Sequence, residues 1–178
     1  MIMRYLLLAL VLSFSMVNAQ RSGFANLDKS PLDMSYARPD RMSDPDLRVL
    51  YSRPQLKGRT LESLAPKGTV WRTGANETTE IIFYKDMKIQ GTKIPAGTYS
   101  LYTIPGESDW KVILNKKLHT WGAYSYDESK DFGRFTAEVK KSEAEIEVLS
   151  IRFDNVSGGY HLVIGWGSKE VKLPINTL

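Results

Sequence analysis

Apolar residues recur at alternate positions through most of this chain. Tyr99, Leu101 and Thr103 alternate with Ser100 and Tyr102; Trp110, Val112 and Leu114 repeat with period two; Val171, Leu173 and Ile175 close the chain in the same way. Such alternation marks strands that bury one face. It predicts strands at 47–53, 69–73, 78–84, 87–89, 93–94, 98–104, 110–115, about 134–140, 145–153, 160–166 and 171–175. Pro54, Gly74-Ala75, Gln90-Gly91-Thr92, Pro95-Ala96-Gly97, Pro105-Gly106 and Asn155-Val156-Ser157-Gly158-Gly159 punctuate them as turns. Residues 160–166 are apolar on both faces and read as a central strand. The only helical pattern is one turn at 60–65.

About ten short strands and no long helix predict an all-β, single-domain β-sandwich, with a β-barrel as the alternative. Residues 20–46 hold Pro31, Pro39 and Pro45 among Asp and Ser, without apolar periodicity. They read as an extended N-terminal arm, and the sandwich domain is expected over 47–178.

The first 19 residues change the picture. A basic start ending at Arg4 is followed by an apolar run of about 13 residues and then Val17-Asn18-Ala19. A spanning helix needs roughly 20 apolar residues, so this pattern predicts a signal peptide cleaved before Gln20 and a periplasmic or secreted protein without membrane insertion. Position 20 is not cysteine, which excludes a lipoprotein anchor. With no cysteine anywhere, the domain must hold together by packing alone, and cysteine nucleophiles and cysteine metal sites are excluded. The net charge is +4, interspersed along the chain, which reads as a solvated surface and not a nucleic-acid footprint. No metal or cofactor motif occurs, and oligomeric state leaves no mark.

The densest chemistry lies in Val70-Trp71-Arg72-Thr73-Gly74-Ala75-Asn76-Glu77-Thr78-Thr79-Glu80. Arg72, Asn76, Glu77 and Glu80 flank the expected Gly-Ala turn. If Ile81 and Phe83 enter the core, Glu80 points outward. Paired strands place cross-strand side chains about 5 Å apart, so Arg72 is expected to reach Glu80 or to share a cavity with it. Two readings stand side by side: an ion pair that satisfies the strand ends, or a polar pocket in which the Arg72 fork holds a ligand.

A second candidate is the loop 115–127, where Trp121, Tyr124 and Tyr126 could form a stacking surface for sugar rings or pack over the open end of the sandwich. Arg53 and Arg59 frame a basic loop that would make an anion-attracting patch if it lay beside Arg72. His119 and His161 are the only histidines. His161 reads as structural, and no Gly-x-Ser-x-Gly elbow accompanies either.

Tyr51-Ser52-Arg53-Pro54, Lys57-Gly58-Arg59, Val70-Trp71-Arg72-Thr73-Gly74-Ala75-Asn76-Glu77, Pro95-Ala96-Gly97-Thr98-Tyr99-Ser100-Leu101 and Trp121-Gly122-Ala123 together resemble the DUF2911 family over roughly 28–175. The resemblance implies a single exported domain and brings no activity or catalytic residue with it. Three functional classes remain open. The leading one is a non-catalytic binding module for a glycan or a small polar or anionic ligand. In it Arg72, Asn76, Glu77 and Glu80 hydrogen-bond the ligand, Arg53 and Arg59 supply charge, and Trp121 and Tyr124 stack. The others are an envelope hydrolase using Glu77 or Glu80 as acid or base, and a structural or protein-interaction domain.

Overall fold

A computed structural model describes residue 23 and residues 25–178 of the chain. The expected leader, 1–19, lies outside the described residues. Nine strands form one antiparallel sheet: β1 (Leu32–Ala37), β2 (Leu47–Ser52), β3 (Glu80–Phe83), β4 (Met87–Ile89), β5 (Thr92–Ile94), β6 (Gly97–Ile104), β7 (Asp109–Asn115), β8 (Asp131–Val156) and β9 (Gly159–Thr177). Their order is β1-β2-β3-β6-β7-β8-β9-β4-β5. A helical turn, α1 (Leu61–Leu64), starts at Thr60, whose side chain accepts the Ser63 amide as an N-cap, and a 3-10 turn spans Glu128–Lys130. The all-β expectation holds. Among the described residues, no helix is long and apolar enough to cross a membrane.

The sheet folds back on itself because β8 is long and bent. Its first part pairs with β7, from Asp131↔Asn115 to Glu138↔Asp109. Register shifts between Lys141 and Ser150 then turn it, as bulges do. Beyond them β8 meets the chain that continues β2: Gln55 bridges Val148, and the Leu56 amide donates to the Glu147 carbonyl while Leu149 donates to Pro54, each at 3.0 Å. Tyr51 pins the same seam from inside, its hydroxyl accepting the Ile151 amide at 2.9 Å. The sequence split β8 and β9 into two strands each. Residues 141–144, which separated the two expected strands, stay extended within β8.

The core between the two halves of the folded sheet centres on tryptophans. Trp71 stacks on Trp166 at 5.3 Å and meets Trp110 edge-on at 6.1 Å, geometries that aromatic quadrupoles favour. Ile81 and Phe83 enter this core and Glu80 does not, as the alternation predicted.

Two differences from the sequence reading bear on function. First, Leu32–Ala37 pairs with β2 along its whole length, so the sheet begins inside the expected arm and not at Leu47. Second, 69–73 is not a strand. Only Trp71 bridges Thr103, and Glu80 opposes Ser100. Counting along β6, Arg72 falls opposite Tyr102 and Thr79 opposite Leu101, and the Thr79 amide donates to the Arg72 carbonyl at 3.2 Å. Trp71-Arg72 and Thr79-Glu80 therefore belong to one strand line, and 73–78 leaves it as a blister. The expected hairpin placed Arg72 and Glu80 across from each other. The observed line places them in succession along one edge of β6.

Candidate functional site

The blister owes its shape to local bonds. Thr73 and Asn76 have φ of 56° and 58°, unusual for non-glycine residues and costly for a β-branched one. Thr73 is held there by its hydroxyl on Thr103 Oγ1 at 3.1 Å and by Thr79 Oγ1 on its carbonyl at 2.8 Å. The indole of Trp71 reaches up from the core to the Gly74 carbonyl at 3.2 Å. Gly74 packs so closely that a Cβ there would lie 3.1 Å from the Ser52 carbonyl oxygen.

The second loop, 119–122, is tied to the first. Thr78 donates its amide to the Thr120 carbonyl, and Gly122 donates to Asn76, both at 2.9 Å, while Glu77 and Trp121 form a bridge. Beneath them lies a buried hydroxyl cluster. Thr78 Oγ1 donates to the Gly122 carbonyl at 2.7 Å and lies 2.8 Å from Thr120 Oγ1, which sits 2.9 Å from the Tyr102 hydroxyl. The two stretches singled out in the sequence are thus one braced unit. Gly122 has φ of 63°, a conformation that favours glycine, and a Cβ there would meet the exposed Tyr124 ring at 2.8 Å and Arg72 Nη1 at 3.3 Å.

Between this unit, the outward face of β2 and β3, and the end of the arm opens a cavity of about 650 Å³. Leu32, Leu50 and Tyr51 give it apolar surface. Asp28, Asn76, Glu77, Glu80 and His119 give it polar groups, and Trp121 also lines it, 59% exposed. His119, itself at φ 57°, brings Nδ1 to 3.1 Å from Glu80 Oε1. Asp28 accepts the Ser30 amide at 2.6 Å. That backbone bond, and then the Asn76 side chain, hold the Asp28 carboxyl below the usual carboxylate range. Among the described residues, no group of three His, Asp or Glu is placed to hold a metal ion.

Of the residues expected to form a site, Asn76, Glu77, Glu80 and Trp121 share this cavity. The other four do not line it. Arg72 makes no ion pair among the described residues: its Nε is buried without a partner, and its Nη1 lies against Gly122. The expected Arg72–Glu80 contact is replaced by Glu80–His119, because the blister puts the two residues in one strand line. Arg53 is bound to Asp33, the Leu149 carbonyl and Ser150 at 2.8–3.0 Å, so it locks β1 to the β8 seam. Arg59 folds onto the carbonyls of its own loop, Leu56 and Gln55. The three arginines therefore form no common patch. Tyr124 is 87% exposed and packs beside Gly122, outside the cavity. His119 was legible only as a histidine in a polar loop. Asp28 carried no signal, since nothing in sequence folds the arm over the sheet.

Fold and site together define an all-β protein whose single folded sheet carries an open cavity lined by carboxylate, amide, imidazole and hydroxyl groups beside apolar and aromatic surface. The chain belongs to the DUF2911 family, described as a protein of unknown function, whose model matches residues 30–175. No curated protein and no solved structure matches it.

Proposed function

We propose that this is an exported, non-catalytic binding module that holds a short carbohydrate in the cavity between the arm, the blister and the 119–122 loop. One arrangement carries the reading. Trp121 stands exposed at a cavity whose polar lining is amide, imidazole, carboxylate and the hydroxyl residues Ser30, Ser52 and Thr78, with its backbone bridged to Glu77. An exposed indole in a fixed frame suits the C–H face of a sugar ring, and carboxylates and amides accept and donate to hydroxyls. The strained, braced backbone of both loops supports a site formed before ligand arrives. Export rests on the short apolar run with Val17-Asn18-Ala19. The anionic ligands considered from sequence find less support, because no lysine or arginine lines the cavity.

Calorimetric titration with a panel of β-linked oligosaccharides tests the reading. Wild type should bind one class, and Trp121→Ala should lose that binding with an unchanged melting temperature. A folded wild type that binds nothing in the panel would sink it. A hydrolase remains the second reading because Glu77 and Glu80 line one cavity and His119 holds Glu80. Release of reducing ends by wild type, lost in Glu80→Gln, would move the protein to that class.

A further inference from the structure

Resting on the carbohydrate reading, we propose that the bound sugar carries a protonated amine, and that Asp28, Glu77 and Glu80 select it while Trp121 covers it.

The chain as a whole is basic, with 24 Lys and Arg against 20 Asp and Glu. The cavity inverts that balance: its charged lining is three carboxylates and no lysine or arginine. The three come from separate segments, the arm, the blister and β3, and all line the same cavity. They are not equivalent. Glu80 is oriented by His119. Asp28 is oriented by the Ser30 amide. Glu77 makes no hydrogen bond or ion pair among the described residues, and its backbone is fixed by the bridge to Trp121. It is the carboxylate left to receive a ligand group.

A neutral hydroxyl donates one hydrogen to such a lining and leaves its charge uncompensated. An ammonium has three donors and a full positive charge, so it can meet two carboxylates at once. The exposed indole adds to the same preference, because a cation over the face of Trp is attracted by the ring quadrupole. An anionic sugar meets like charge in all three carboxylates of the lining. Charge and aromatic surface therefore point to the same ligand class, a 2-amino sugar with a free amine.

The discriminating pair is a β-1,4 glucosamine trimer and cellotriose, which share a backbone and differ in an ammonium in place of each 2-hydroxyl. Titrated calorimetrically against the protein at low salt, the aminated trimer should bind at least about tenfold more tightly, and the preference should shrink at high salt, where exposed charge interactions are screened. Glu77→Gln, at an exposed position, should bring the two affinities together without lowering the melting temperature. Equal affinity for both trimers, lost in Trp121→Ala, would overturn the amine inference and leave the carbohydrate reading standing. Tighter binding of cellotriose would overturn it as well. Failure of the folded protein to bind either trimer would overturn the amine inference, and the carbohydrate reading would fall with it only if the rest of the oligosaccharide panel also failed to bind.

Discussion

Glu80 Oε1 lies 3.1 Å from His119 Nδ1, a contact between a strand carboxylate pointing out of the core and a loop imidazole at positive φ. The His119 side chain is 82% exposed and that of Glu80 23%. Exposed pairs of this kind contribute about 0–1 kcal/mol to stability. The contact therefore serves to orient Glu80 in the cavity more than to hold the fold. His119→Ala should shift the denaturation midpoint by less than about 1 kcal/mol while weakening ligand binding. A loss of several kcal/mol would instead make the pair a structural tie.

The hydroxyl cluster beneath the loops should behave in the opposite way. Thr78 and Thr120 are buried, and Thr78 Oγ1 serves both Thr120 and the Gly122 carbonyl. Thr78→Val leaves the Gly122 carbonyl without its donor and the Thr120 hydroxyl without an acceptor, at a cost of about 1–3 kcal/mol. The Thr78→Val/Thr120→Val double variant should lose less than the sum of the singles, because the shared bond is lost once. Urea denaturation of the four proteins reads this directly, and strictly additive losses would show the two hydroxyls to be independent.

Gly122→Ala should destabilise by about 1–2 kcal/mol, the cost of a left-handed conformation in a residue with a Cβ. Tyr124 at 2.8 Å is the nearer steric obstacle, but its ring is 87% exposed and can swing away. Adding Tyr124→Ala should therefore recover little of the loss. Full recovery would assign the effect to the ring and not to the backbone.

Alkaline pH should weaken the fold through Tyr160. Its hydroxyl donates to Asp46 Oδ2 at 2.7 Å, where Lys85 also pairs. Burial first, and then the Asp46 charge, push the Tyr160 phenol well above its ordinary value near 10. The folded state thus holds this proton more tightly than the unfolded chain does. The resulting stability is intact below about pH 10 and is lost as pH rises through the folded value. Tyr126, raised by burial and by Asp131, adds to the same limb. Tyr160→Phe should flatten the fall in urea midpoint above pH 10 without abolishing it. An unchanged alkaline slope would exclude Tyr160 as a contributor.

Much of the fold was legible because a strand with one buried face writes its period into the sequence. The alternation around Ile81 and Phe83 correctly sent Glu80 outward. Thr60 announced the helical turn, and the turns after β4 and β6 fell where Gly and Pro stood. The grouping of Asn76, Glu77, Glu80 and Trp121 was also legible, because conspicuous polar and aromatic residues crowd two short segments.

The partners of those residues were not legible. Period cannot distinguish a hairpin from a strand line interrupted by a six-residue blister, since both begin and end on extended residues. The difference moved Arg72 from facing Glu80 to preceding it in the same line. Arg53 looked free because its acceptors, Leu149 and Asp33, are distant in sequence, and Arg59 because its acceptors are backbone carbonyls, Leu56 and Gln55, which every residue carries and no side-chain pattern marks.

The β class, the outward faces and the clustering of polar and aromatic side chains were written in the chain, because these follow from local sterics, burial and nearness in sequence. Tertiary structure alone decided that the arm lends Asp28 to the cavity, that His119 meets Glu80, and that the cavity's charge is negative in a basic chain. Those depend on which distant segments share space, and the closure of a folded sheet settles that through contacts that no local pattern encodes.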